Sequence, residues 1–183
     1  MPNHCENDLR VEGDKEELSR FKEFAKEGKE LLSADKFIPY PEEFKKQDEL
    51  ARKTEKLRNE LCASLEKKGL TKESAFEKAN KKYPHIKDGF NSGGYDWCIK
   101  NWGTKWGFYE VNLQESSEEL FYTFQTAWSP AEPVIKKMGE MFPKLTFDLR
   151  YFEQGMGFNG ILRIEKGRIV KEETGKYYGN RGG

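Results

Sequence analysis

Cys5, Cys62 and Cys98, with His4 and His85, are the residues best suited to metal or nucleophilic chemistry, and their spacing supplies neither. No CxxC or HxxxH element brings two ligands together, so a metal site would need His4, Cys5, His85 and Cys98 to converge from far apart. An odd number of scattered cysteines reads as reduced thiols in ordinary structural roles, and neither a metal nor another cofactor is expected. A Cys98 and His85 pair would act as nucleophile and base only within hydrogen-bonding reach, which nothing in the sequence implies. No carboxylate pair stands out.

Richer in possibility are three polar-aromatic segments, Tyr95 to Trp106, Thr126 to Pro130 and Tyr151 to Gly160. Two readings stand side by side. In the first, Trp97, Trp102, Trp106, Trp128 and Tyr151 fill the core, while Asn101, Thr104 and Glu153 satisfy buried backbone or indole groups. In the second, tryptophan faces stack on a planar ligand and Lys100, Lys105 and Arg150 neutralise its anionic charge. Asn7, Asn101 and Gln154 would then read the edge of a base. The candidate ligand-binding set is Asn7, Asn101, Trp102, Thr104, Lys105, Trp106, Trp128, Tyr151 and Glu153. An enzyme would draw on Lys105, Glu153 and Asp96, gathered in one cleft with perturbed titration.

The elements that position these residues follow from periodicity. Asp8 to Glu12 alternates as a short strand, and Asp14 with Glu17 forms a capping-box signature before Leu18, Phe21, Phe24 and Ala25 at helical spacing. Phe37-Ile38-Pro39-Tyr40-Pro41 reads as an extended, packed connection. From 42 to 83 a charged helix with a Leu50, Leu57, Leu61 and Leu65 stripe precedes a second helix, started by Thr71, with Ala75, Phe76, Ala79 and Tyr83 on one side. Trp106 to Gln114 and Glu119 to Thr126 form a hairpin. Ser129-Pro130-Ala131-Glu132 predicts a helix start, with Ser129 as cap and Pro130 in the first position. Val134, Ile135, Met138, Met141 and Phe142 make its buried stripe. Leu145 to Tyr151 alternates as a strand, and 157–165 with 168–172 form a hairpin turned at Lys166-Gly167.

This order, with the helical segment set aside, is βαββαβ followed by an added hairpin. The predicted class is α+β: a ferredoxin-like antiparallel sheet, with a helical insertion at about 42–83 after the first helix. One domain spans 1–174, with a flexible tail at 175–183. Two helices would cover one sheet face and leave the other open.

Composition narrows the function classes. The 183 residues carry 32 basic and 32 acidic side chains, so the broad positive field of a nucleic-acid or anionic-membrane binder is missing. No apolar run reaches the ~18 residues of a membrane helix. The first residues lack a basic-then-apolar leader pattern, and the expectation is a soluble cytoplasmic protein. RNA-recognition modules share this topology, but the Asp8-Leu9-Arg10-Val11 strand lacks stacking aromatics, and Phe121 and Tyr122 point to opposite faces. Nucleic acid is therefore the less favoured expectation as partner.

Five segments, in order, resemble the phage and plasmid family with a YubB-type ferredoxin-like domain. They are Asn3, Cys5, Glu6, Asn7 and Leu9; Phe37-Ile38-Pro39 with Pro41-Glu42-Glu43; Asn101-Trp102-Gly103-Thr104-Lys105-Trp106; Thr126-Ala127-Trp128-Ser129-Pro130; and Gly155-Met156-Gly157-Phe158. The family often has Trp where His4 stands and a small polar residue where Gly107 stands. The resemblance implies a ferredoxin-like fold in a mobile-element protein in the cytoplasm of a bacterial host, and no particular activity. The expectation drawn from it is a non-enzymatic accessory protein that binds a host protein or a small anionic or planar ligand, nucleotide included, with counter-defence as one version. The competing expectations are a nucleotide- or nucleic-acid-acting enzyme and a single-stranded nucleic-acid-binding module.

Overall fold

A computed structural model describes residues 3–176. The chain divides into two compact units: residues up to Pro39 together with those from Asp96 onward, and Tyr40–Tyr95.

In the first unit, β1 (His4–Glu12) leads into α1 (Lys15–Ala25), and Asp14 caps α1 by accepting the Glu17 N–H at 3.0 Å. A 3-10 turn at Ala34–Lys36 and buried Phe37 form the packed connection. After the second unit come α4 (Tyr95–Trp102), β2 (Tyr109–Glu115), β3 (Glu119–Ala127), α5 (Glu132–Met141), β4 (Thr146–Glu153), β5 (Phe158–Glu165) and β6 (Arg168–Lys176). The α2 (Glu42–Lys67) and α3 (Lys72–Lys82) helices belong to the second unit.

The six strands form one antiparallel sheet in the order β2-β3-β1-β4-β5-β6. The first four positions are the ferredoxin-like arrangement; β5 and β6 extend it beyond β4. Alternation decides the faces: Cys5, Asn7, Leu9 and Val11 of β1 are buried, as are Leu120, Tyr122 and Phe124 of β3. Phe21 of α1 packs at 5.1 Å from Phe142 and 5.4 Å from Phe147, in edge-to-face geometry. Val134, Ile135 and Met138 of α5 complete the layer. Tyr122 and Phe121 face opposite ways as expected, with Phe121 lying under Arg10 on the open face.

Several boundaries differ from those expected. β1 begins at His4, four residues early, because Asn7 is a buried polar residue whose amide is hydrogen-bonded inside. The aromatic segment from Tyr95 is helical as α4, and β2 starts at Tyr109 rather than Trp106. Ser129 does not cap α5 and Pro130 lies before it: the helix starts at Glu132, with Pro133 in its first turn. β6 runs to Lys176, two residues into the expected tail; 177–183 lie outside the described residues. The β5–β6 turn is at Lys166-Gly167, both with positive φ (52° and 72°), as a two-residue hairpin requires.

The second unit is a helical hairpin that extends past residue 83. Gln47 Nε2 donates to Lys87 O, and Asp48 Oδ1 accepts the Phe90 N–H at 2.9 Å, tying the π-type turn Phe90–Gly94 to α2. The leucine stripe of α2 is only half covered: Leu61 and Leu65 are half-buried, whereas Leu50 and Leu57 are exposed. In α3, Ala75 and Ala79 turn inward one helical turn apart, and Phe76, expected inside, is exposed.

Candidate functional site

The three polar-aromatic segments meet at the start of β1. Register pairs His4 with Ala127 and Cys5 with both Thr126 and Glu153, so the ends of β3 and β4 flank the first residues of the chain. Trp128 N donates to Asn3 O at 2.9 Å. On the other side Gly155 lies against the Asn3 side chain, close enough that a Cβ there would stand 2.3 Å from Asn3 Nδ2.

Most of the motif's polar atoms are consumed in holding these loops. Asn7 Nδ2 donates to Thr126 Oγ1 at 3.0 Å and to Cys5 O at 2.8 Å; the Thr126 hydroxyl donates to Ser129 O; the Ser129 hydroxyl donates to Gly103 O at 2.6 Å. Ser129 is therefore spent on the loop before β2, which explains why it is not a helix cap. Fully buried Thr104 donates its hydroxyl to Ala127 O at 2.9 Å and accepts the Ala127 N–H at 3.1 Å. Asn101 Nδ2 donates to Trp97 O, and Trp102 Nε1 donates to Ile38 O at 2.8 Å, with Trp97 edge-on at 5.4 Å. Tyr151 shares a 2.7 Å hydrogen bond with the Thr174 hydroxyl. Glu153, 1% exposed, accepts the Gly155 N–H at 3.0 Å and the Met156 N–H, and so shapes the β4–β5 turn.

What remains outward is a rim. Lys105 Nζ lies 4.8 Å from the Trp106 ring centre and 4.9 Å from that of Trp128, a cation between two indoles. Trp128 is 38% exposed and has φ +71°, a left-handed conformation uncommon outside glycine. Trp106 meets Tyr109 edge-on at 6.4 Å, and the Tyr109 hydroxyl bonds to His4 Nδ1 at 2.7 Å. Met156, largely exposed, tips the turn that Glu153 caps.

Of the nine candidates, Asn7, Trp102, Thr104, Tyr151 and Glu153 are buried, Asn101, Lys105 and Trp106 half-buried, and Trp128 exposed. Asn7 is turned into the helix-covered face and presents no edge to a ligand outside. Gln154 is exposed in the β4–β5 turn; Arg150 is on the open sheet face beside Asp148, the face opposite Tyr151. Asp96 is exposed on α4, and both Glu153 oxygens are taken by backbone amides, which leaves this set without the shared cleft an enzyme needs. Cys5 is buried, and burial pushes its thiol up to about 12, which makes it unreactive at neutral pH. His4 and Tyr109 are rim members that sequence reasoning missed as site residues; the alternation of β1, continued back from Leu9 to His4, is the signal that would have exposed His4. Among the described residues no group of three or more His, Cys, Asp or Glu could hold a metal ion, and no helix is long and apolar enough to cross a membrane.

Residues 105–178 match the family model described as the ferredoxin-like domain in Api92-like protein. The fold is ferredoxin-like. The uncharacterized protein YubB of Escherichia coli (strain K12) is 32% identical over 93 residues, a match spanning 45% of this chain and 63% of that protein. The crystal structure of protein api92 from Yersinia pseudotuberculosis superposes with a TM-score of 0.54 over 98% of this chain and 99% of its own, at 9% identity, a likeness of fold alone. The family model and YubB support the YubB-type, Api92-like resemblance carried by the motifs.

Proposed function

We propose that this is a non-enzymatic binding protein of a phage or other mobile element, acting in the bacterial cytoplasm by engaging a host protein through the Lys105, Trp106 and Trp128 rim. The observation that carries this reading is the division of the motif: its side-chain amide N–H groups, hydroxyls and buried carboxylate are committed to loop architecture, while one ammonium group and two indoles are held at the surface. Tryptophan and tyrosine anchors dominate protein interfaces because they bury large rigid areas at little entropic cost. Trp128 keeps a left-handed backbone that costs about 1–2 kcal/mol, held by its N–H bond to Asn3 O, and that turn carries its indole to the surface beside Lys105. The mobile-element role and its counter-defence version, in which the protein blocks a host factor by mass action, rest on the motif resemblance.

The experiment compares wild type with Trp128→Ala and Lys105→Glu as baits in bacterial lysate, after near-ultraviolet circular dichroism shows all three folded. A host protein retained by wild type and reduced at least tenfold by both variants is the expected result. Equal retention of every captured protein by all three baits would remove the rim from the function.

A further inference from the structure

The Tyr40–Tyr95 unit contains a cavity of about 310 Å³ between α2 and the segment from His85 to Phe90. This is at the lower end of the ~300–1,000 Å³ typical of small-ligand sites. Arg58 lines it at only 9% exposure. Its Nε has no hydrogen-bond partner, and its ion pair with Glu55 is long at 4.0 Å. A guanidinium is always charged, offers five donors in a planar fork and has no acceptor; held out of water, it needs a carboxylate, phosphate or carbonyl to complete it.

The surrounding charge decides which. Asp48, Glu55 and Asp88 outnumber Arg52 and Arg58 in the lining, and Asp48 and Asp88 are already turned toward the backbone N–H groups of Phe90 and Asn91. A simple anion would satisfy Arg58 but add to an excess of carboxylates. A simple cation would be met by the buried guanidinium. A molecule carrying both charges matches both poles, and Ala51, Ile86 and Phe90 supply apolar wall for its remainder. We propose that this cavity binds a free α-amino acid: its carboxylate on the Arg58 fork, its ammonium toward Glu55, and an apolar side chain against Ile86 and Phe90. The site lies within the helical unit and is independent of the rim reading.

The test uses the full chain, titrated with leucine, phenylalanine and glycine and with two analogues of leucine, 4-methylpentanoate without the amine and 3-methylbutylamine without the carboxylate. The reporters are the Arg58 Nε–H resonance, assigned by its loss in Arg58→Lys, and the melting temperature. Leucine or phenylalanine should shift that resonance and raise the melting temperature saturably, with each single-charge analogue at least tenfold weaker. Glu55→Gln, which alters an exposed carboxylate and spares the fold, should weaken amino-acid binding at least tenfold, as should Arg58→Lys. A carboxylate analogue as tight as leucine would make this an anion site and overturn the proposal. So would the absence of any saturable response to all three amino acids, or unchanged binding in Glu55→Gln.

Discussion

At Thr104 one hydroxyl serves two masters, donating to the Ala127 carbonyl and accepting from the Ala127 N–H, with no access to water. Thr104→Val keeps the shape and removes the hydroxyl, leaving two buried backbone groups unpaired; such groups cost about 1–3 kcal/mol each. The expected loss in stability is about 2–4 kcal/mol in urea unfolding, with an unchanged m-value. Lys105→Ala next door removes a partly exposed cation–π contact and should cost about 1 kcal/mol or less. Equal losses at the two positions would contradict the division of this motif into an interior clasp and an outward rim. The sequence makes Thr104 and Lys105 look alike, as polar neighbours in a tryptophan-rich run. Only the alignment of β2 with β3 and of β3 with β1 separates them, since it places one under the Ala127 backbone and the other beyond it.

Elements whose pattern comes from one buried face were readable in advance. Phe147, Leu149 and Tyr151 recur at every second position of β4, although Asp148 and Phe152 at the alternate positions are buried too, and Leu18, Phe21 and Ala25 mark α1 at helical spacing. Elements shaped by polar burial or by distant loops were not. Asn7 breaks the apolar alternation of β1 although it is as buried as its neighbours, because its Nδ2 donates to Thr126 and to the Cys5 carbonyl, while its Oδ1 stays unpaired. α4 is an eight-residue helix of aromatic and polar residues, too short for periodicity to distinguish from loop. Ser129-Pro130 carries a real helix-start signature that Gly103 overrides by taking the serine hydroxyl. Close packing between elements is equally hidden: a Cβ at Gly139 of α5 would stand 2.5 Å from Ile164 Cγ2 of β5, a stiff β-branched contact. Gly139→Ala raises helix propensity by about 1 kcal/mol, yet it should destabilise by about 1–3 kcal/mol because α5 must lift off the sheet. A higher melting temperature for Gly139→Ala would show that α5 does not lie as close to β5 as this fold requires.

Across the whole sheet, the three central strands each bury an ionisable group on the helix-covered face: Cys5 of β1, Tyr122 of β3 and Tyr151 of β4. Burial raises all three, Cys5 from 9.0 to about 12, Tyr151 from 10.0 to about 12, and Tyr122 upward from the ordinary phenol value. The sign follows from linkage. Above pH 9 the unfolded chain releases protons that the folded chain retains, so stability falls with rising pH, and the fall continues until the folded groups themselves ionise near 12. Each group contributes a slope of at most about 1.4 kcal/mol per pH unit; below pH 9 the three contribute none. Lysine deprotonation weakens surface ion pairs in the same range, and Cys5→Val separates the two effects. The urea midpoint of wild type should begin to drop above pH 9, whereas that of Cys5→Val should hold until tyrosine ionisation sets in near pH 10. Comparison with Tyr122→Phe and Tyr151→Phe isolates the tyrosinate absorbance of these two residues from that of the chain's six other tyrosines; below about pH 12 their share should rise in step with unfolding rather than before it, because burial under the helices disfavours the phenolate. Tyrosinate formation by these two residues near pH 10, in a chain that keeps its far-ultraviolet spectrum, would mean that the central strands are open to hydroxide, and the layered core described here would not hold.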